Sequence, residues 1–386
     1  MNIPITKPFF GDEERRAIVE PLETGWVVQG PRVAEFERLF AAYTGASHAL
    51  ASTSCTTALH LALIGLGVGP GDEVIVPALT WVATANVVEM LGARPVFVDV
   101  ELESFNTTAR HVEPAITSRT KVIMPVSLFG LSADMEPIVA LARGRGVAVI
   151  EDDACATGAW YHGQHAGALA DVACFSFHPR KAITTGEGGM LTTNDARLAT
   201  AVQSLRDHGA STSDLARHHG SRPYLLPDFD MVGYNYRMTD FQGALGVVQM
   251  GRLEGLLAQR RVVARRYDQA LRELPWLRTP AVPEGYQHGY QSYVCLFAPE
   301  RPSLDNLPTL HERRNALMDR LQQAGVSTRP GTHAVHALGY YRDKYEIAPE
   351  RFPNALMADH LCLAIPLYAQ MTAEEQDYVI AQLAMG

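Results

Sequence analysis

Short apolar runs alternate with helical segments over roughly the first two-thirds of the chain. Residues 12–23, 33–43, 56–66 and 135–143 are predicted to form helices, and Val33, Phe36 and Phe40 share one apolar face. Compact apolar runs predict buried strands at residues 48–51, 74–76, 96–98, 122–124, 147–150, 173–175 and 190–192. Such runs, separated by helices, are typical of an α/β fold whose mostly parallel sheet carries helices on both faces.

The pattern changes after residue 235, where a helical pattern covers residues 239–274 and ends at Pro275. A strand is predicted at residues 293–297 and a helix at residues 312–323. A terminal helix begins with a capping box, in which Thr372 and Glu375 satisfy each other's backbone N–H groups. We therefore predict a large α/β domain at residues 1–250 and a smaller α+β domain at residues 251–386.

The composition narrows the class of protein. With 386 residues, 47% of them hydrophobic and 19% charged, the chain can bury a large core. Its net charge of −9 argues against a nucleic-acid partner. The absence of a long apolar run argues against a membrane span, and the N-terminus shows no export signal. Five scattered cysteines without a Cys-x-x-Cys pair indicate neither a zinc site nor disulfides, so a cytoplasmic location is expected.

Polar residues follow several predicted strands, at the edge of an α/β sheet where ligands usually bind. Residues 52–57 are small hydroxyl residues and Cys55, leading directly into a helix. They either cap the helix or present N–H groups and a favourable dipole to a phosphate. Glu151, Asp152 and Asp153 follow another strand. They form a solvated loop, or one of them faces a metal or a protonated ring nitrogen.

A lysine and a tryptophan occupy comparable positions. Only four of the 33 basic residues are lysines, and Lys181 lies between a buried strand and the glycine-rich residues 184–189. Lysine can form a Schiff base with a carbonyl compound, which arginine cannot. Trp81 either stacks on a planar cofactor or belongs to the core. A phosphate cup, a carboxylate, a lysine and a flat aromatic ring together predict a site for pyridoxal 5′-phosphate (PLP), and no metal site is expected.

Motifs along nearly the whole chain add a resemblance to a known family. The most specific are Ser-Phe-His-Pro-Arg-Lys at residues 176–181 and Thr-Thr-Gly-Glu-Gly-Gly at residues 184–189. Others lie at residues 25–26, 30–31, 36–37, 71–74, 97–100, 125–130, 205–209 and 233–238. In these stretches the chain resembles the DegT/DnrJ/StrS family of PLP-dependent sugar aminotransferases. The resemblance implies the type I aspartate aminotransferase fold.

The resemblance also implies roles for matching residues. Lys181 would carry PLP as a Schiff base and move protons, and we expect its pKa to be lowered by the ring cation and by burial. Asp152 would pair with the pyridinium nitrogen. The other implied cofactor-binding residues are Trp81, which would stack on the ring, Cys55, Thr56 and Ser176 at the phosphate, and Asn235 of the partner subunit, which would make the family's homodimer necessary for activity.

Three positions depart from the family pattern. Cys155 stands where the family usually has Gln or His beside the ring hydroxyl, and thiols are weaker hydrogen-bonding groups. Asp153 replaces a small residue, and Ser127 replaces a frequent His. Some relatives carry His in place of the lysine and catalyse dehydration. The presence of Lys181 argues against that branch.

The resemblance implies transfer of an amino group, from L-glutamate as the expected donor, to a nucleotide-linked keto-sugar. A 4-keto-6-deoxyhexose is the preferred substrate. A cyclitol ketone is the alternative within enzymes, and a PLP-binding regulatory protein is a third reading. A diphosphate would need a local cationic groove, although most arginines of a chain are solvated or ion-paired. The candidate substrate-binding residues are Trp26, Arg206, His208, Arg329 and His333.

Overall fold

The computed structural model describes residues 1–385. Its strands are β1 (His48–Ser52), β2 (Glu73–Pro77), β3 (Leu79–Thr80), β4 (Arg94–Val98), β5 (Thr120–Ile123), β6 (Ala148–Asp152), β7 (Trp160–Tyr161), β8 (Gln164–His165), β9 (Val172–Ser176), β10 (Gly189–Thr193), β11 (Leu277–Arg278), β12 (Tyr286–Gln287), β13 (Tyr293–Phe297), β14 (His333–Ala334) and β15 (Cys362–Ile365). Its α-helices are α1 (Asp12–Thr24), α2 (Pro31–Thr44), α3 (Cys55–Gly65), α4 (Ala83–Glu89), α5 (Ala109–Val112), α6 (Met135–Arg145), α7 (Ala196–Leu205), α8 (Asp214–His218), α9 (Asp240–Leu271), α10 (Leu307–Gln323), α11 (Gly339–Tyr345), α12 (Pro353–Leu361) and α13 (Ala373–Ala384).

Seven strands form the central sheet, in the order β1-β10-β9-β6-β5-β2-β4. Strands β9, β6, β5, β2 and β4 are parallel, whereas β10 runs antiparallel to both β1 and β9. Each of the seven apolar runs in this part of the sequence corresponds to one of these strands. The prediction of an α/β fold with a mostly parallel sheet is therefore confirmed.

Helices cover both faces of this sheet. Neighbouring residues of a strand point to opposite faces, so Val74 and Val76 of β2 belong to one apolar cluster and Ile75 to another. Helices α3 and α7 pack on the first face, and α6 covers β2, β5 and β6 on the second. Beside α6, the aromatic rings of α2 pack against Phe175 and Phe177. The carboxyl ends of the parallel strands therefore lie at an edge between these two layers of helices.

The C-terminal part contains a second sheet, in the order β11-β13-β15, together with α10, α12 and α13. The long helix α9 is continuous from Asp240 to Leu271, so the glycines within it do not interrupt it, and it ends three residues before the predicted limit. The predicted boundary between residues 250 and 251 falls inside α9. The division into two domains therefore stays a prediction.

Among the helices between residues 1 and 385, none has both the length and the apolar composition that a bilayer span requires.

Candidate active site

The carboxyl edge of the central sheet brings three predicted site segments together. Ser52 of β1 pairs with Gly189 of β10, and Gly189 pairs in turn with Ser176 of β9. One strand further along, Asp152 lies opposite Cys174. The segment of Lys181 leaves this edge after β9. The hydroxyl run, the acidic run and the lysine segment, which are far apart in sequence, are thus neighbours.

Helix α3 begins at this edge with two amides free of protein partners. The Ser54 hydroxyl accepts a hydrogen bond from the Thr57 N–H at 3.1 Å, and Thr57 Oγ1 accepts one from the Ser54 N–H at 3.0 Å. Among residues 1–385 the N–H groups of Cys55 and Thr56 have no acceptor. Two orphan amides at a helix N-terminus suit a phosphate, so Ser54 caps the helix while its neighbours stay free to bind an anion.

Gly189 allows β10 to approach this helix end. A Cβ atom at residue 189 would lie 2.3 Å from the Ser54 carbonyl carbon and 2.5 Å from the Cys55 nitrogen. No side chain fits at that separation. Burial raises the pKa of the Cys55 thiol well above its usual value, so Cys55 would reach a phosphate through its backbone N–H.

The three consecutive acids are all buried, and they have different partners. Glu151 accepts backbone N–H bonds from three residues of the loop before β9, Gly167, Leu169 and Ala170, at 3.0–3.2 Å. Asp152 instead accepts from Thr84 Oγ1 at 2.7 Å and from the Ala154 N–H at 3.2 Å. Burial is the largest influence and raises the pKa of Asp152 above its usual value, although Thr84, Ala154 and the charge of Lys181 lower it in part.

Asp153 is the unsatisfied member of this acidic run. Its side chain is 0% exposed, and neither carboxyl oxygen makes a hydrogen bond of normal geometry among residues 1–385, although the Ser127 hydroxyl is near enough to lower its pKa. Burial and the neighbouring Glu151 carboxylate raise the pKa of Asp153 well above its usual value. Burial raises the pKa of Glu151 only to about 7, because its three N–H donors favour the charged form. We therefore infer that Asp153 is the group of this pair that holds the proton more tightly.

A raised pKa in the folded state links Asp153 to pH-dependent stability. The folded protein binds this proton more tightly than the unfolded chain, so its stabilising contribution is complete below the unfolded pKa of about 4 and is lost as pH rises towards the folded pKa. We expect Asp153→Asn to remove this dependence. Between pH 5 and pH 9, the Tm of Asp153→Asn, measured by calorimetry, should fall less than the Tm of the wild type. The control Asp305→Asn, at an exposed position far from the site in sequence, should follow the wild type, and parallel curves for all three proteins would contradict the prediction.

The Lys181 amine lies between thiol and carboxyl groups. Its Nζ donates to Cys155 Sγ at 3.1 Å. Burial lowers the pKa of this amine, but the neighbouring Cys155, Cys55 and Asp152 raise it, and the net direction is upward. Our expectation of a lowered pKa is therefore wrong for the protein's own groups, because acidic neighbours outweigh burial.

Trp81 is not a core residue. Its side chain is 62% exposed, and its ring centroid lies 5.8 Å from that of His333, with the rings tilted by 39°. Strands β3 and β14 pair just beside them, with Thr80 opposite His333. The two exposed aromatic rings therefore lie side by side. Trp81 does not belong to the core, and its ring is accessible for stacking on a planar cofactor.

The other predicted substrate-binding residues differ in accessibility. Arg206 is only 3% exposed, and its guanidinium binds Glu37 and the Ala51 carbonyl in the wall of a cavity that Asp207 and Arg237 also line. Its contact with a substrate stays a prediction. Trp26 donates to the Gln29 carbonyl and packs edge-on against His218. The side chains that remain exposed are His208, Arg329, His333 and Asn235.

Two further residues lie near the site but were not predicted from the sequence. Thr84 of α4 donates to Asp152, and no pattern in the sequence marked it. Arg260 is buried without an acidic partner, and its Nη2 donates to the Lys181 carbonyl at 3.2 Å. No sequence signal marked Arg260 among 29 arginines. In residues 1–385 no cluster of three or more His, Cys, Asp or Glu side chains could hold a metal ion.

Comparisons with known proteins agree with this geometry. The sequence model of the DegT/DnrJ/EryC1/StrS aminotransferase family matches residues 8–384. Among solved structures, the chain is similar to the aminotransferase TlmJ from Streptoalloteichus hindustanus, with 31% identity over 99% of this chain and 97% of that chain and a TM-score of 0.88. It is also similar to DesV from S. venezuelae, with 30% identity, coverage of 100% and 98%, and a TM-score of 0.86.

A third similar structure bears on the cofactor. Spr1654 from Streptococcus pneumoniae, a proposed sugar aminotransferase, has been solved in a PMP form and in a PLP form. Its PMP form is 30% identical over 100% of this chain and 98% of that chain, with a TM-score of 0.91.

Proposed function

The chain belongs to the DegT/DnrJ/EryC1/StrS aminotransferase family of PLP-dependent sugar aminotransferases, and we propose that its acceptor is a nucleotide-linked 4-keto-6-deoxyhexose and its donor L-glutamate. The observation that carries the assignment of the site is the convergence of three groups at one sheet edge. These are the Lys181 amine, the buried Asp152 carboxylate and the free amides at the start of α3.

The residues at this edge fit PLP. When bound, PLP supplies an aldehyde that takes up an amino group and a ring that withdraws electrons. Lys181 would hold the cofactor through Nζ and move protons with the same atom. The Asp152 carboxylate would hold a proton on the ring nitrogen. The amides of Cys55 and Thr56 would bind the phosphate, with Ser176 beside them on β9.

Two other residues complete the proposed cofactor site. The exposed ring of Trp81 would cover one face of the cofactor ring and exclude water from it. Cys155, which already accepts a hydrogen bond from Lys181, would lie near the ring hydroxyl. A thiol there is a weaker partner than the amide or imidazole usual in the family.

Arginines next to the lysine support an anionic substrate. Arg329 is exposed. The pKa of Arg180, the residue before Lys181, is lowered by the burial of Arg180 and by the positive charge of Arg329. Two guanidinium groups near each other at the site entrance suit the diphosphate of a sugar nucleotide. His333 and Trp81 offer aromatic surface for the sugar or base.

A substrate screen tests the proposed function. The purified enzyme, loaded with PLP, is incubated with L-glutamate and either dTDP-, UDP- or GDP-linked keto-sugars or free inososes, and 2-oxoglutarate release is measured. We expect turnover with a nucleotide-linked 4-keto-6-deoxyhexose. Turnover only with inososes would replace this proposal by the cyclitol alternative, and PLP binding without turnover of any ketone would favour the regulatory reading.

We further propose that the active enzyme is a homodimer in which Asn235 completes the site of the partner subunit. Asn235 is exposed, and the preceding segment, residues 222–232, carries several exposed apolar side chains. Exposed fractions are 76% for Tyr224, 83% for Leu226 and 89% for Val232. Apolar groups exposed to this extent in one segment are typical of an interface, and a twofold dimer would bury them on both subunits.

Complementation between two inactive variants tests the shared site. Co-expressed Lys181→Ala and Asn235→Ala chains should form heterodimers in which one site carries both lesions and the other is intact. Random pairing then gives about one quarter of wild-type activity. Lys181→Ala with Asp152→Asn is the matched control, since both lesions lie within their own subunit and no site is repaired. Equal activity of the two mixtures, or a fully active monomer in sedimentation, would rule out sharing.

A further inference from the structure

Two buried threonines stand behind the Asp152 carboxylate. Thr80 in β3 and Thr84 in α4 are both 0% exposed. Thr84 Oγ1 lies 2.7 Å from Asp152 Oδ2, and Thr80 Oγ1 lies 2.8 Å from Thr84 Oγ1. Three side chains from three different elements therefore form one hydrogen-bonded chain in the core beneath the sheet edge.

The direction of this chain follows from its last member. An ionised carboxylate only accepts hydrogen bonds, so the single hydroxyl proton of Thr84 must point at Asp152. Thr84 has no second hydroxyl proton, so it can only accept in its contact with Thr80. The Thr80 hydroxyl must therefore be the donor. Both hydroxyl dipoles consequently point towards the carboxylate, which favours its charged form.

We infer that Thr84 is a positioning residue for Asp152: its hydroxyl holds the carboxylate charged and in one orientation towards the cofactor's ring nitrogen, and Thr80 orients Thr84. This inference rests on the proposed function of Asp152. Thr84 touches neither substrate nor cofactor in it and acts only through Asp152.

The need for such a residue follows from the burial of Asp152. Its side chain is 4% exposed, and burial disfavours its charge. Apart from Thr84, its one hydrogen-bond donor among residues 1–385 is the Ala154 N–H, at the longer distance of 3.2 Å. Without the Thr84 hydroxyl, Oδ2 would be left without a donor. The carboxyl would then be neutral more often and free to rotate.

Four variants separate positioning from packing. Thr84→Val keeps the shape and removes the hydroxyl, Thr84→Ser restores it, and Thr80→Val removes only the second donor. Thr192→Val is the matched control, because Thr192 is an equally buried threonine whose hydroxyl binds a backbone carbonyl, that of Gly167, at 2.9 Å. Each purified protein is loaded with PLP labelled with ¹⁵N in the ring. The ¹⁵N resonance reports protonation of the ring nitrogen independently of turnover, and kcat and KM are measured alongside.

We expect Thr84→Val to move the ¹⁵N resonance towards the unprotonated value and to lower kcat by about 10- to 100-fold, the size of one lost hydrogen bond to a charged group. KM should change less than about twofold, since no substrate contact is removed. Thr80→Val should show the same changes at smaller size. Thr84→Ser and Thr192→Val should keep the wild-type resonance and kcat.

Each contrary result has its own meaning. A wild-type resonance in Thr84→Val, or a loss that Thr84→Ser does not repair, would overturn the role of Thr84. If instead the wild-type protein binds PLP with an unprotonated ring nitrogen, or Asp152→Asn leaves the resonance unchanged, the proposed role of Asp152 fails first.

Discussion

The Lys181→Ala variant is expected to fold and to lose turnover, with kcat falling by on the order of 10⁴-fold or more, as when a covalent catalytic nucleophile is removed. Lys181 lies in a loop, and its amine makes one side-chain hydrogen bond, to Cys155. Removing it therefore leaves the core intact. The variant should still bind PLP without a covalent link, and borohydride reduction should no longer fix the cofactor to the protein.

The other lysines provide the control for this experiment. Lys121 is exposed at the start of β5, towards the opposite edge of the sheet, and Lys121→Ala should keep wild-type activity and covalent labelling. Peptide mapping of the reduced wild type should find the cofactor on Lys181. Labelling of Lys7, Lys121 or Lys344 instead would show that another lysine holds the cofactor.

Asp152→Asn is expected to lower turnover by about 10²-fold or more, on the scale of a lost charge-stabilising group. The change keeps the shape of the side chain but replaces the carboxylate by a neutral amide, which cannot hold a proton on the ring nitrogen. The measurement is kcat in the half-reaction with L-glutamate, which leaves binding of the sugar substrate out of the comparison.

Asp153→Asn is the matched control, because Asp153 is the next residue and equally buried. We expect it to keep activity within a few-fold of wild type, since its carboxyl group is already neutral. Near-normal turnover of Asp152→Asn together with collapse of Asp153→Asn would reverse the assignment of the two acids.

The fold was predictable where the sequence pattern has a local cause. The strand Tyr293–Phe297 and the Thr372–Glu375 capping box are found where they were predicted, because a buried apolar run and a reciprocal cap are formed by adjacent residues. The direction of β10 has no such cause, since a short buried strand has the same side-chain pattern whether it pairs in parallel or antiparallel. Helix α10 begins at Leu307 rather than residue 312: Pro308 is tolerated in its first turn, and the prediction missed that Leu307 and Leu310 already belong to the buried face of the helix.

The site was predictable to a similar degree. Small hydroxyl residues, an acid and a lysine at strand ends indicated which segments meet, because the carboxyl ends of neighbouring parallel strands share one edge. The partner of a given charged group depends on distant segments. The ion pair of Arg206 was therefore not foreseen, since its partner Glu37 lies on a helix far away in sequence. The link from Thr84 to Asp152 was missed for the same reason.

The pairing of β1 with β10 has a consequence for biosynthesis. Strand β1 enters the sheet only through β10, which pairs His48 with Thr193 and Ser52 with Gly189. The start of α3, with its two free amides, follows β1 directly and lies against Gly189. A nascent chain must therefore leave the ribosome beyond Thr193 before the cofactor site can close, and contacts so distant in sequence form slowly. Until then, the apolar residues 48–65 lack the strand that pairs with β1, and they are exposed to aggregation and proteolysis.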